Sequence, residues 1–398
     1  MAPLRSVEQA LATMLAAAAP LSAETVPLDQ ADGRWLAEAV KATRDQPPFD
    51  ASAMDGWAVR HADVAPGAAL TIVGESAAGQ RAWRPLSAGE TVRISTGAPL
   101  PVGADRVVMQ EHAERQGSRL LIGEAGQGRH IRARGCDFHD GEVLLRPGER
   151  LNPWKLALAA AAGVATLRCH AQPRLAVLAT GNELVEVGGP AGEDQIYNSG
   201  GPSISAFARR QGAQVRQLAA AGDTKAAVVA ALIGVAFDIL VTVGGASVGD
   251  HDLVKPALKS LGAVLSVEGA ALQPGKPVWF GRFADGRLVL GLPGNPASGL
   301  VCAELFLAPL LARLQGGVFE PKLGQAVLTT ELPANGPRER YVRAHLSADA
   351  AGERRVRPFA DQDSSLVSVM AASNVLIVRA PHAPAAAEGE TVLVRDPA

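Results

Sequence analysis

The chain has 398 residues, 47% hydrophobic and 20% charged, with a formal net charge of −2. That composition belongs to a folded protein of roughly two to four domains. So small a net charge excludes a general field for nucleic acid or an anionic membrane surface, and ligands are to be sought at local sites.

The first segment, "LATMLAAAAPLSAET", has the apolar and small-residue character of a leader. Against this, Glu8 stands where a leader is positive, and Ser6 with Gln9 makes the S-x-x-Q box that opens a helix. No other run approaches the roughly 20 apolar residues of a membrane span. Three cysteines, Cys136, Cys169 and Cys302, form no C-x-x-C pair. One is left over under any disulfide scheme, so the expected setting is reducing and cytoplasmic.

Residues 47–140 are glycine-rich and strand-like, with "AALTIVGE", "ETVRIST" and "DRVVMQE". They open on "PFDASAMDGWAVR", which has no clean helical or strand period and so is not explained by burial. "NPWKLALAAAAGVA" follows as a helix with Pro153 in its first turn. The expected organisation is an inserted β domain (47–140) within a helical linker domain (1–46 with 141–170).

From about 173 to 318 strand and helix signals alternate: "RLAVLAT", "SISAFARRQG", "QVRQLAAA", "KAAVVAALIGVA", "DILVTV", "LVKPALKSLG", "PVWFG", "LVLGL" and a long helix after "PGNP". This predicts a doubly wound, mostly parallel α/β domain over 171–318. Residues 319–398 carry short β runs separated by Pro, Gly and Asn, which predicts a small C-terminal all-β domain.

In an open α/β sheet ligands bind beyond the carboxyl ends of the strands. Here the predicted strand ends carry Glu183, Asp223, Asp250 and Asp252, a gathering of carboxylates suited to a hard cation such as Mg²⁺ or to cationic ligand groups. Helix capping by each acid is the ordinary alternative. The loop "GGASVGD", with Gly244, Gly245, Ser247 and Gly249, offers backbone N–H groups suited to phosphate. It is neither a Walker A loop nor a G-x-G-x-x-G fingerprint.

"QPGKP" presents Lys276 on a turn stiffened by prolines. "PGNPAS" places Pro293, Gly294, Asn295 and Ser298 at a helix start, where capping alone would account for Asn295. Arg343 and Ser364, in the last domain, read alone as surface residues. Thr96 stands at a strand end and Asp137 follows an arginine run. No H-E-x-x-H supports a zinc site and no G-x-S-x-G supports a serine hydrolase.

"PFDASAMDGWAVR", "RISTGAPLPVGADRVVMQE", "TGNEL", "GDT", "TVGGASVGDHD", "QPGKP" and "GLPGNPASG", in this order, resemble the molybdopterin molybdenumtransferases, the family of bacterial MoeA and the gephyrin E domain. The resemblance implies a homodimer with four domains per subunit and a C-terminal β-barrel-like domain. It implies insertion of molybdate into adenylylated molybdopterin, with Mg²⁺-dependent cleavage of the pyrophosphate link and release of AMP and molybdenum cofactor. By resemblance, Glu183, Asp223 and Asp252 hold metal or position water. Asn198, the glycine loop through Asp250, and Pro293 to Asn295 serve the phosphates, and Lys276, Ser298, Arg343 and Ser364 receive molybdate.

Asp55, Thr96 and Asp137 match functional positions of the inserted domain, expected to serve the other subunit's site. Molybdopterin adenylyltransferase and molybdoenzyme maturation proteins are the implied partners. Gln273 stands where some relatives have a basic residue, and "NSG" at 198–200 replaces the commoner "NSN". Two other classes compete: a scaffold that has lost catalysis, against which Asp223, Asp252 and Lys276 speak, and a pyrophosphatase or lone adenylyltransferase, against which the flanking β segments speak.

Overall fold

The computed structural model describes residues 4–124, 126–245 and 253–397. The central sheet has six strands: β1 (Arg174–Ala179), β2 (Gln214–Gln217), β3 (Ile239–Val243), β4 (Val264–Glu268), β5 (Trp279–Arg282) and β6 (Leu288–Leu292), in the order β2-β1-β3-β6-β5-β4. The first four in that order run parallel, while β5 and β4 complete the edge antiparallel. Every residue of β3 and β6 is buried, as expected of strands covered on both faces by helices.

One cover is the run Pro296–Leu314, 19 residues long and 89% buried. By length and composition this run would cross a bilayer, contrary to the reading that no stretch approached that size. Its burial among β1, β3 and β6 makes it the central core helix.

The N-terminal helix, Val7–Ala17, begins with the expected capping box between Ser6 and Gln9. Its buried face, Val7, Ala10 and Met14, packs into the core of the α/β domain. The expectation that residues 1–46 belong together with 141–170 is therefore corrected for this helix. Its apolar i, i+3, i+7 stripe finds its partner on Pro296–Leu314, not on the linker. The linker itself is as much strand as helix: Ala23–Pro27 pairs with Thr166–His170, Val40–Lys41 with Val143–Leu145, and Pro153–Ala161 is its helix, capped by Asn152.

The inserted domain is a six-stranded sheet in which Gly56–Val59 lies second from one edge, between Arg106–Met109 and Glu90–Ile94. A Cβ at Gly56 would lie 2.0 Å from the Val108 carbonyl oxygen, so only glycine fits there. In the C-terminal domain five strands close on themselves: Glu339–Ala348, Arg354–Pro358, Leu323–Leu328, Thr391–Arg395 and Val375–Arg379, which returns to the first. Closure leaves no free edge. A short pairing, Leu272–Gln273 with Glu339–Arg340, joins this barrel to the α/β domain.

Candidate active site

The carboxyl ends of β1, β3 and β6 open into a cleft of about 620 Å³ lined by Thr180, Glu183, Asn198, Asp223, Gly244 and Gly245, among others. Gly244 has φ +95°, and a Cβ there would meet the Thr180 carbonyl oxygen at 2.4 Å. Across the cleft floor Gly294 approaches so closely that its own Cβ would stand 3.4 Å from Gly244 Cα. The glycines thus bare the backbone where a ligand can approach it.

Asp223 does not cap the helix that follows it. Thr224 accepts the Ala227 N–H and takes that role. Asp223 and Asn182 instead bond reciprocally: the Asn182 N–H donates to the Asp223 carboxylate at 3.1 Å, and the Asp223 N–H to Asn182 Oδ1 at 3.0 Å. This holds the acid at the rim between β1 and β2. The Glu183 carboxylate folds over Gly181, where a Cβ would lie 2.6 Å from its oxygens.

Asn198 and Thr180 are 1% and 4% exposed, yet Asn198 Nδ2 and Thr180 Oγ1 have no hydrogen-bond partner among the described residues. An unsatisfied buried polar group costs about 1–3 kcal/mol, which a ligand atom would recover. Asn198 Oδ1 accepts the Gly201 N–H at 2.9 Å, fixing the amide at the start of the Gly200–Arg210 helix.

No group of three or more His, Cys, Asp or Glu side chains suited to a metal occurs among the described residues. Glu183 and Asp223 are two hard oxygen donors on one cleft. That set fits Mg²⁺, which is commonly held by one or two carboxylates, its remaining positions going to phosphate and water. Ser247, Gly249, Asp250 and Asp252 lie outside the described residues.

A second cleft, of about 490 Å³, adjoins the first and is cationic: Lys276, Arg338 and Arg340 line it with Gln273, Ser298 and Ser364. The Lys276 turn is closed by Ala270 N–H to the Lys276 carbonyl at 3.1 Å. Gly275, with φ +120°, lies so close to Cys302 that a Cβ would meet its sulfur at 2.4 Å. Asn295 lies on both clefts. Its side chain makes no capping bond, contrary to the capping alternative. Asn295 Nδ2 donates instead to Ser364 Oγ at 2.8 Å, and the Ala297 N–H donates to the Ser364 carbonyl at 3.1 Å.

The structure does not bring Arg343 to the cationic cleft. It is 0% exposed, and Arg338 and Arg340 stand at the cleft instead. Side chains alternate along a strand, so Arg340 and Arg343, three apart, leave the Glu339–Ala348 strand on opposite faces. Burial lowers the Arg343 pKa, and the carboxylates of Asp361 and Asp363 act in the opposite sense. Arg338 Nη2 donates to Gln273 Oε1 at 3.2 Å, so the neutral amide at that position is held by a neighbouring charge.

Asp55 and Thr96 meet in the inserted domain, the Thr96 N–H donating to the Asp55 carboxylate at 2.7 Å. That bond holds the Asp55 pKa below the usual carboxylate value. The Gly97 N–H donates to the Ser52 carbonyl at 2.8 Å and zips the two loops together. Asp137 is exposed in a separate turn, its N–H bonded to the Gln46 carbonyl at 3.0 Å. None of the three lines either cleft among the described residues.

Three family profiles cover nearly all of the chain. Residues 5–163 match the MoeA N-terminal region, domains I and II; residues 176–313 a probable molybdopterin-binding domain; and residues 325–396 the MoeA C-terminal region, domain IV. A molybdopterin molybdenumtransferase of Haemophilus influenzae is 35% identical over 384 residues, 94% of each chain. Molybdopterin molybdenumtransferase 2 of Mycobacterium tuberculosis is 37% identical over 366 residues, 87% of this chain and 89% of its own. The crystal structure of a molybdopterin biosynthesis MoeA protein from Pyrococcus horikoshii superposes with a TM-score of 0.82 at 30% identity, covering 99% of both chains.

Proposed function

The chain belongs to the MoeA family of molybdopterin molybdenumtransferases, and from that premise we propose that it inserts molybdate into adenylylated molybdopterin, releasing AMP and molybdenum cofactor. The observation that carries this reading is the contiguity of two clefts of opposite chemistry, one acidic and glycine-lined, the other cationic, with Asn295 on both.

Bare backbone at Gly244, Gly245 and Gly294 suits phosphate oxygens, and the free amide donor of Asn198 suits another. Glu183 and Asp223, with Asp252 by its place in the motif, would hold Mg²⁺, which offsets phosphate charge during cleavage. Asp223, immobilised by Asn182, is placed to orient the attacking water. Lys276, Arg338 and Arg340, with the hydroxyls of Ser298 and Ser364, form the donor set for a tetrahedral oxyanion.

The inserted-domain residues Asp55, Thr96 and Asp137 complete the site of a second copy in a homodimer. Their absence from the lining of their own chain's clefts supports this. A molybdopterin adenylyltransferase would supply the substrate, and molybdoenzyme maturation proteins would receive the product, in the cytoplasm. The test is to incubate the protein with adenylylated molybdopterin, Mg²⁺ and molybdate and follow AMP. Absence of AMP under conditions where an established transferase works sinks the reading.

A further inference from the structure

The loop Asp361–Leu366 carries two residues of the cationic cleft, Gln362 and Ser364, and one of the glycine-lined cleft, Ser365, yet it has no strand to hold it. Its own turns give it shape: Asp361 Oδ1 accepts the Asp363 N–H at 2.8 Å, and Asp363 Oδ1 accepts the Ser365 N–H at 2.8 Å and its hydroxyl at 2.7 Å. What fixes the loop to the barrel is Arg343. Gln362 grips that residue's backbone at both ends, Oε1 accepting its N–H at 3.0 Å and Nε2 donating to its carbonyl at 3.0 Å. The Arg343 guanidinium lies under the same loop, with Nη1 3.5 Å from the Leu366 carbonyl oxygen.

Nε and Nη2 of this buried guanidinium have no partner among the described residues, and the charges facing it are Asp361 and Asp363 of the loop. A buried charge is favoured by nearby opposite charge, so the exposed carboxylates of Asp361 and Asp363 draw the loop toward the guanidinium, while the Gln362 bonds and the approach to the Leu366 carbonyl supply the contacts.

We infer that Arg343 is a positioning residue, anchoring the Asp361–Leu366 loop so that Ser364 reaches Asn295 and the cationic cleft closes around its oxyanion. The inference rests on the reading of that cleft as the molybdate site. It separates Arg343 from the ligand-contacting arginines and gives it a selective signature. Loosening the loop weakens oxyanion binding most, and reaches the glycine-lined cleft only through Ser365, which lines that cleft from the same loop.

The experiment measures molybdate binding and AMP binding by calorimetry in the full-length protein, for Arg343→Met and for Asp361→Asn with Asp363→Asn. The asparagines keep the turn acceptors and remove only the charges that face Arg343. Misplacement of site groups by a fraction of an ångström to one ångström costs roughly tenfold to a hundredfold. Molybdate affinity is therefore expected to fall by about tenfold or more in both variants and AMP affinity by clearly less, since Ser365 alone of the loop lines the glycine cleft. Arg343→Met that binds molybdate as the parent does overturns the inference. Should Arg343→Met lose AMP binding as well, through misfolding, the asparagine pair decides, and parental molybdate affinity in that pair overturns it equally. A parent protein that binds no molybdate would fail the site reading itself, and the inference with it.

Discussion

Asn295 and Ser364, 69 positions apart in sequence, meet through a 2.8 Å hydrogen bond that joins the first turn of the core helix to the loop of the C-terminal barrel. The bond stands where the acidic and cationic clefts touch. Its energetic worth as a neutral pair is about 1 kcal/mol, but its position makes it matter for alignment of the two ligands. Asn295→Ala and Ser364→Ala are each expected to raise the KM for molybdate, and the double variant to be less impaired than the product of the two. A double-mutant cycle on kcat/KM measures the coupling; strict additivity would show that the bond aligns nothing.

Asp223→Asn offers a clean separation of charge from structure. The asparagine oxygen can still accept the Asn182 N–H, so the reciprocal clamp survives and the melting temperature should stay at the parental value. Activity should fall by roughly 10- to 100-fold if the carboxylate is a metal ligand or orients the water. A rise in the Mg²⁺ concentration needed for half-maximal AMP release distinguishes the first role from the second.

Mixed dimers test whether the inserted domain serves a neighbouring copy. Asp55→Ala and Asp252→Ala chains are each expected to be inactive alone. Randomly mixed in equal amounts, half the dimers would be hetero-dimers with one intact site, which restores about a quarter of parental activity. No recovery would place the two residues in the same chain's site.

Acid sensitivity of the inserted domain should centre on Glu90. Its pKa is held at about 2, chiefly by the Arg84 guanidinium hydrogen bond and then by the Ser87 N–H, against an ordinary 4.5. A carboxylate whose folded pKa is depressed stabilises fully above the unfolded value and loses that contribution as pH falls through the folded one. Glu90→Gln should therefore be less stable than the parent at neutral pH, and the gap should close between about pH 4.5 and 2. Both side chains are partly exposed, so added salt should narrow the gap at neutral pH. Thermal melts across that range check both points.

The strand-and-turn grammar of the α/β domain was legible in the sequence because parallel strands advertise themselves as short apolar runs ending on glycine and acid. Thus Glu183, Asp223 and the loop opening at Gly244 could be placed at one edge from the sequence alone. Arg338 and Arg340 escaped notice although they stand two apart, the spacing of one strand face. What hid them is the pairing of Gln273 with Arg340, 67 positions away, which no local pattern encodes. The same period would have turned Arg343 away from the cleft, but its motif position spoke louder than its strand face. The apolar stripe of the N-terminal helix is silent about which of several cores it joins, and only the packing of Val7, Ala10 and Met14 assigns it to the α/β domain.

The short ladder between Leu272–Gln273 and Glu339–Arg340 also has a meaning in time. A ribosome that has delivered residues 1–318 has made every strand of the central sheet and the whole Lys276 turn, but none of Arg338, Arg340 or Ser364. At that point the glycine-lined cleft lacks only Ser365 and Val367 of its lining, whereas the cationic cleft still lacks Arg338, Arg340, Tyr341, Gln362 and Ser364. A chain ending at residue 318 would therefore keep most of the glycine-lined cleft while missing two of the three basic residues of the cationic one.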